Sequence, residues 1–160
     1  MATDFLTLLQ RDHHDLAAGL AELVEAETIA QIRSALDGVR LGLTAHAEAE
    51  DIVLAHALAR CPTSTALEPL VDEALASHVE QSDTLAALVS CKPGSAEWRA
   101  LAARLRRLVV EHAAWEERYV LPALRAASPE VYASLAGAFA TERLRQLAML
   151  QPSVPFQLAG

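Results

Sequence analysis

Two copies of one short pattern carry the chemistry of this sequence: a histidine followed four residues later by a glutamate. The first copy is His46 with Glu50, and the second is His112 with Glu116, sixty-six residues further along. On an α-helix this spacing places both side chains on one face, one turn apart. Each copy therefore offers an imidazole nitrogen and a carboxylate oxygen to a single point, a donor set that suits iron, manganese or zinc.

Two further histidines, His13 and His78, lie on the apolar faces of other predicted helices. A shift of sixty-five residues superposes the segments around them, just as a shift of sixty-six superposes the two His-x-x-x-Glu segments. The chain therefore reads as two similar helical hairpins, each with a histidine on its first helix and His-x-x-x-Glu on its second. The same shift places His14 on Val79, so His13 is the better ligand candidate.

The elements that must position these side chains are helices. Apolar residues recur in alternating steps of three and four, which predicts an all-α fold: an antiparallel up-down four-helix bundle with an additional C-terminal helix. Counted from the loops at about 1.5 Å per residue, the four inward imidazoles fall within about one turn, 5.4 Å, of a common layer. The first four helices are predicted over about 4–27, 30–60, 65–90 and 96–127.

A polar layer in an Ala, Leu and Val core is costly unless its groups share a partner. The two cysteines do not form a metal-binding pair by spacing, which argues against a structural zinc site or an iron–sulfur cluster. A dinuclear centre is the simplest interpretation, because two carboxylates from opposing helices can each bridge two metals. The predicted metal ligands are His13, His46, Glu50, His78, His112 and Glu116.

Length and charge limit the other possibilities. The 160 residues suit one domain, and a formal net charge of −8 argues against a nucleic-acid partner. No apolar run approaches the roughly 18–20 residues of a membrane span, and the N-terminus lacks a secretory pattern, so we expect a cytoplasmic protein. Cys61 and Cys91 should lie at opposite ends of the bundle as reduced thiols.

A fifth helix is predicted after Ser128 and Pro129, which read as an N-cap and a first helical residue. It runs to about Leu150 and is expected to pack across the bundle or to form a homodimer face. The expected division is therefore a bundle over 1–127 and a C-terminal helix with its tail over 128–160. The apolar stripe assigned to this helix comprises Val131, Leu135, Phe139, Leu144, Leu147 and Leu150.

The ordered set of motifs resembles the hemerythrin-like, or HHE cation-binding, domain family. The resemblance covers about residues 1–127 and includes the Asp-His pair at 12–13 and the run over 116–122. It implies a non-haem, oxo- or hydroxo-bridged centre of two iron ions, with manganese or zinc as other occupants. By that resemblance one iron is bound by His13 and His46, the other by His78 and His112, and both are spanned by Glu50 and Glu116.

One departure from the oxygen-carrying members of that family bears on function. They carry a further histidine four residues from the one on the third helix, where this chain has Ala74 and Ser82. Open coordination positions favour reaction over reversible oxygen carriage, so we expect a centre that reacts with peroxide, oxygen or nitric oxide. Peroxide disproportionation, catalase- or peroxidase-like, or a related oxidative or nitrosative protection comes first among these reactions.

The sequence leaves two roles open for several residues. Tyr119, one turn past Glu116, either contacts bound peroxide as a catalytic residue or is an ordinary bundle residue. The acidic residues Glu48, Asp51 and Glu117 read first as surface charges; the alternative role for each is to orient a ligand histidine. The histidines outside the predicted ligand set, His14 and His56, are expected to face solvent or to lie behind the ligands.

Other functions stay open. The alternatives are a non-enzymatic oxygen or iron sensor and a metal store. A ferritin-like site is disfavoured because none of the histidines has a glutamate three residues before it. A bundle without metal would leave an expensive polar layer in its core.

Overall fold

The computed structural model describes residues 4–61 and 65–151. These parts of the chain contain five α-helices and no strands. None of the described helices combines the length and the apolar composition that crossing a membrane requires. The helices are α1 (Phe5–Glu25), α2 (Ile29–Arg60), α3 (Leu67–Ser90), α4 (Ala96–Ala127) and α5 (Pro129–Leu150).

The all-α prediction is confirmed, and local chemistry explains where the ends differ. Helix α1 stops at Glu25 because Ala26 is extended, and Thr28 then starts α2 with a capping box to Gln31. Helix α3 begins at Leu67 rather than at Thr65, because residues 65–66 form a turn. The predicted breaker over 62–64 and the tail from residue 152 lie outside the described residues.

The core consists of two apolar clusters with a polar layer between them. One cluster includes Phe5, Leu9, Val53, Leu54, Val71, Val120 and Leu124. The other includes Leu16, Leu20, Val39, Leu43, Leu88, Leu105 and Val109. On α1 and α3 the first cluster precedes the polar residues, whereas on α2 and α4 it follows them. This alternation shows that neighbouring helices run antiparallel and that the polar residues of all four share one level.

The cysteines belong to different clusters. Cys61 is part of the first apolar cluster, and Cys91 packs against the second. Both are free thiols. Because the two clusters lie on opposite sides of the polar layer, a disulfide between these residues is excluded by distance.

Helix α5 lies mainly along α2 and also touches α1 and α4. Its Phe139 is fully buried, with its ring centroid 6.1 Å from that of Phe5 and 5.8 Å from that of His46. The Tyr132 hydroxyl accepts a hydrogen bond of 3.1 Å from the backbone amide of Leu6. Helix α5 therefore completes one side of the bundle and reaches the polar layer.

The apolar residues predicted for the end of α5 do not all lie on its buried face. Leu144 is 67% exposed and Leu150 is also exposed, whereas Gln146 is buried. The buried face advances from Phe139 in steps of three or four, so it continues through residues 142, 143 and 146. Leu144 falls on the opposite side of the helix. The inward face of α5 is thus apolar in its first half and polar in its second.

Ser128 joins α4 to α5, and its side chain accepts a hydrogen bond of 3.2 Å from the amide of Val131. Replacing it by alanine is expected to lower the free energy of unfolding by about 1 kcal/mol, because the first turn of α5 loses a capping acceptor. For a chain of this length the melting temperature should fall by about 2–4 °C. Thermal unfolding followed by circular dichroism measures the change; Ser134→Ala is the control, and an unchanged Ser128→Ala variant would contradict the capping role.

Candidate metal centre

The six predicted ligand residues form the polar layer. They come from α1, α2, α3 and α4, one histidine from each helix and one glutamate from α2 and from α4. Their exposed fractions lie between 0% and 6%. The tertiary structure therefore places these residues at one level of the bundle, as counting residues from the loops predicts.

The layer divides into two groups that share one carboxylate. His13, His46 and Glu50 have potential ligand atoms within 4.8 Å of one another, and so do Glu50, His78 and His112. The imidazole rings within each hairpin meet edge to face, at 5.0 Å for the first pair and 4.6 Å for the second. The arrangement has the approximate twofold symmetry that the sequence repeat predicts.

Each buried carboxylate lies between the two hairpins. Glu50 Oε2 is 3.1 Å from His46 Nε2 and 3.9 Å from His78 Nε2. Glu116 Oε2 is 3.3 Å from the Nε2 atom of His13 and 3.9 Å from that of His112. Each carboxylate thus faces one imidazole of the first hairpin and one of the second.

A shared cation fits these residues. Among the described residues, nine buried side-chain nitrogen and oxygen atoms have no hydrogen-bond partner, and eight of them belong to the polar layer. They include both oxygens of Glu50 and of Glu116, and the Nε2 atoms of three histidines. Buried polar atoms are normally satisfied, so their convergence on one volume calls for a common partner. Imidazole nitrogens with carboxylate oxygens are a donor set for iron, manganese or zinc.

Three of the four imidazoles are oriented by a second carboxylate behind them. In each case Nδ1 donates to that carboxylate, which leaves Nε2 directed into the layer as a potential ligand. The three pairs are His13 with Glu117 at 2.9 Å, His46 with Asp12 at 2.8 Å, and His78 with Asp51 at 2.5 Å.

The orienting role is thereby observed for Asp51 and Glu117, while Glu48, His14 and His56 are exposed. Asp12 is the orienting residue that sequence reasoning missed. A signal was available, because an aspartate directly before an inward-facing histidine lies at the edge of the same helix face.

His112 is the exception to this pattern. Neither of its ring nitrogens has a hydrogen-bond partner among the described residues. Under the sixty-five-residue shift that places His13 on His78, Asp12 falls on Ser77. The second hairpin therefore has a hydroxyl where the first has a carboxylate, and the twofold symmetry is broken at this position.

The two glutamates titrate as a pair. Burial and the neighbouring charge of Glu50 raise the pKa of Glu116 well above its ordinary value. Burial alone would raise the pKa of Glu50 as well, but the interactions of its carboxylate with Glu116 and with the imidazoles of His46 and His78 outweigh burial and lower that pKa. Two carboxylates this close share one proton when no cation lies between them.

The two histidines of the His-x-x-x-Glu motifs are shifted in opposite directions. Burial alone would lower the pKa of His46, but its hydrogen bond to Asp12 and the carboxylate of Glu50 close to its Nε2 raise that pKa to about 9. Burial and the nearby charge of His78 lower the pKa of His112 to about 3. The difference follows the broken symmetry, because His46 has a carboxylate at each ring nitrogen whereas His112 has none at Nδ1.

Tyr119 lies outside this layer. Its ring is 46% exposed, tilts against Trp115 with 6.3 Å between centroids, and lies under the guanidinium of Arg118. The structure therefore gives no support for contact between Tyr119 and a ligand bound at the metal centre.

Four antiparallel helices around a buried layer of imidazoles and carboxylates define a metal-binding helical bundle. The model of the hemerythrin HHE cation-binding domain matches residues 4–124. The chain belongs to this family, which confirms the resemblance inferred from the motifs. Comparisons with curated proteins and with solved structures gave no match.

Proposed function

We propose that this protein is a non-haem di-iron protein whose centre reacts with peroxide, oxygen or nitric oxide, with peroxide disproportionation as the favoured reaction. One observation carries the proposal: two groups of potential ligands share Glu50, and each buried carboxylate faces both groups. A single ion would use only half of this arrangement. The proposed ligands are His13 and His46 for one ion, His78 and His112 for the other, and Glu50 and Glu116 for both.

Bound iron would supply the change of oxidation state that splitting peroxide into water and oxygen requires. The protein orients the ligands. The carboxylates behind His13, His46 and His78 hold these imidazoles with Nε2 directed into the layer. No third imidazole is available four residues before or after His78. Ala74 is buried and has no ligand atom, and Ser82 is exposed. Few protein ligands per ion leave room for a small molecule to bind.

A route for a small reactant supports the same proposal. A cavity of about 160 Å³ between α2 and α3 is lined by Asp51, His78 and Gln81 and opens to solvent. Its size suits peroxide, oxygen or nitric oxide and excludes bulky substrates. Asp51 is partly exposed in this cavity and is hydrogen-bonded to His78, so polar contacts continue from solvent to the edge of the layer.

The test is iron analysis of the purified protein together with optical spectra before and after addition of hydrogen peroxide, oxygen or nitric oxide. We expect about two iron ions per chain, a change in the absorption bands, and oxygen release at half the amount of peroxide consumed. An iron-loaded protein that consumes none of the three reagents, with unchanged spectra, would remove the proposal. Protein to which free iron has been added after inactivation by heat is the control for chemistry in solution.

Replacing Tyr119 by phenylalanine is expected to leave both iron content and the rate of peroxide consumption unchanged, because the side chain faces solvent. The rate is measured by loss of peroxide absorbance. A decrease of tenfold or more with full iron content would instead assign Tyr119 to the reaction.

An oxygen or iron sensor is the alternative, and the contact between α5 and the polar layer favours it, because an added helix can report what the centre holds. Analytical ultracentrifugation of the metal-free and iron-loaded protein distinguishes the two functions. A sensor should change shape or association state on loading, whereas identical hydrodynamic behaviour would count against it.

A further inference from the structure

Arg143 of α5 forms hydrogen bonds with the carboxylate of Asp12, which orients His46. Its Nε donates to Asp12 Oδ2 at 2.8 Å, and a terminal nitrogen lies 2.5 Å from Asp12 Oδ1. The same Oδ2 accepts the hydrogen bond of 2.8 Å from His46 Nδ1. Three side chains from α5, α1 and α2 are thus joined in one chain of charge-assisted hydrogen bonds.

The surroundings make this contact more than a surface ion pair. Asp12 is only 7% exposed, and Phe139, one turn before Arg143, is fully buried with its ring against His46. A buried carboxylate that loses its partner is costly and moves towards solvent or binds a proton. Without Arg143, Asp12 would be a weaker and less well placed acceptor for His46.

These hydrogen bonds from Arg143 through Asp12 to His46 support only one half of the metal centre. Among the described residues, the other orienting carboxylates, Asp51 and Glu117, form no hydrogen bond or ion pair with an arginine of α5. In the second hairpin the position equivalent to Asp12 is Ser77, which accepts a hydrogen bond from Gln81 instead. The first half-site therefore has a support that its counterpart lacks.

We propose that Arg143 is a positioning residue for the metal centre: through Asp12 it fixes His46, and α5 thereby sets how tightly the half-site of His13, His46 and Glu50 holds its ion. The inference rests on the proposed two-ion centre. Helix α5 lies beyond the part of the chain that the family model matches. Through Arg143 this helix has a direct role in the metal centre.

A purely structural contact makes a different prediction. If the pair only docked α5 on the bundle, its loss would lower the stability of the whole protein and weaken both half-sites alike. A positioning residue acts through His46, so its loss should weaken one half-site and leave the other nearly unchanged. The two ions therefore serve as internal controls for each other.

The experiment loads the protein anaerobically with ferrous iron and follows its release to an excess of chelator. In the wild-type protein we expect two ions per chain. In Arg143→Gln we expect one of them to be released about 10–100 times faster, the range found when groups behind a metal ligand are removed. The other ion should keep its wild-type rate, and Arg143→Lys should recover part of the loss because it retains a cation near Asp12.

Arg145→Gln is the matched control. Arg145 lies on the same helix, is about half exposed, and pairs with Glu142 of α5 rather than with the bundle. Its replacement should leave both release rates unchanged. Asp12→Asn tests the same link from the other end, and adding Arg143→Gln to it should cause little further change if the arginine acts through Asp12.

Each remaining outcome has a definite meaning. Release of both ions from Arg143→Gln at wild-type rates, or equal acceleration of both, would overturn the positioning role. If Arg143→Gln does not fold, wild-type rates in Asp12→Asn would overturn it as well. Failure of the wild-type protein to bind two ions would instead overturn the proposed function, so the two failures are distinguishable.

Discussion

Replacement of both Glu50 and Glu116 by glutamine is expected to reduce the metal content from about two ions per chain to well below one. The substitution keeps the size of each side chain but removes both anionic groups from the layer. Neutral amides bind iron poorly, and each lost carboxylate faces both half-sites, so neither half-site should be spared. Metal analysis after dialysis against the loading buffer measures the effect.

Glu48→Gln is the control for this pair, because Glu48 lies on α2 close to Glu50 but is exposed. It should retain the full metal content. The metal-free double variant should fold at least as stably as the metal-free wild type, because it no longer buries two carboxylates that share one proton. A double variant that still holds two ions would refute the bridging role.

The free energy of unfolding of the metal-free protein is expected to pass through a maximum near pH 6.5. On the acid side the cause is His112, whose pKa is about 3 in the folded protein against an ordinary value of 6.5. Unfolding then takes up a proton below pH 6.5, so acid favours the unfolded chain. At about 1.4 kcal/mol per pKa unit the loss between pH 6.5 and 3 is on the order of 4 kcal/mol.

On the alkaline side His46 acts in the opposite sense, because its pKa in the folded protein is about 9. Its contribution is fully present below pH 6.5 and is lost as the pH rises through 9, a change on the order of 3 kcal/mol. Glu116 acts in the same sense as His46, because its pKa is raised well above the ordinary value of 4.5; its contribution declines from that pH upward and so broadens the maximum on its acid side. Urea unfolding of the metal-free protein at a series of pH values measures both limbs.

His112→Asn and His46→Asn separate the two causes, since each should flatten one limb and leave the other in place. A stability that rises steadily from pH 5 to pH 9 in the metal-free wild type would contradict both assignments. Iron loading should flatten the alkaline limb, because the ions then take the place of the proton on His46.

The polar layer was predictable because it depends on counting along helices. The rise of an α-helix is fixed, so the distance of each histidine from its loop sets its level in an up-down bundle. The spacing of four in His46 with Glu50 and in His112 with Glu116 puts ligand pairs on one face in any α-helix. These features need no knowledge of neighbouring side chains.

The groups around the layer were less predictable, because they depend on contacts between helices. Asp51 and Glu117 read first as surface charges, and only the packing of α2 against α3 and of α4 against α1 brings them to His78 and His13. Leu144 belongs to the predicted apolar stripe of α5 but lies outside its buried face, because the second half of that face is polar.

The sequence by itself therefore determined the helices, the two-hairpin repeat and the ligand candidates with their common level, because each follows from periodicity within a single helix. Only the tertiary structure decided which carboxylate stands behind which imidazole, that His112 has none, that Tyr119 faces solvent, and that Arg143 of α5 holds Asp12. These contacts join residues as many as 131 positions apart. Their partners are chosen by how helices pack and rotate against each other, which local spacing does not fix.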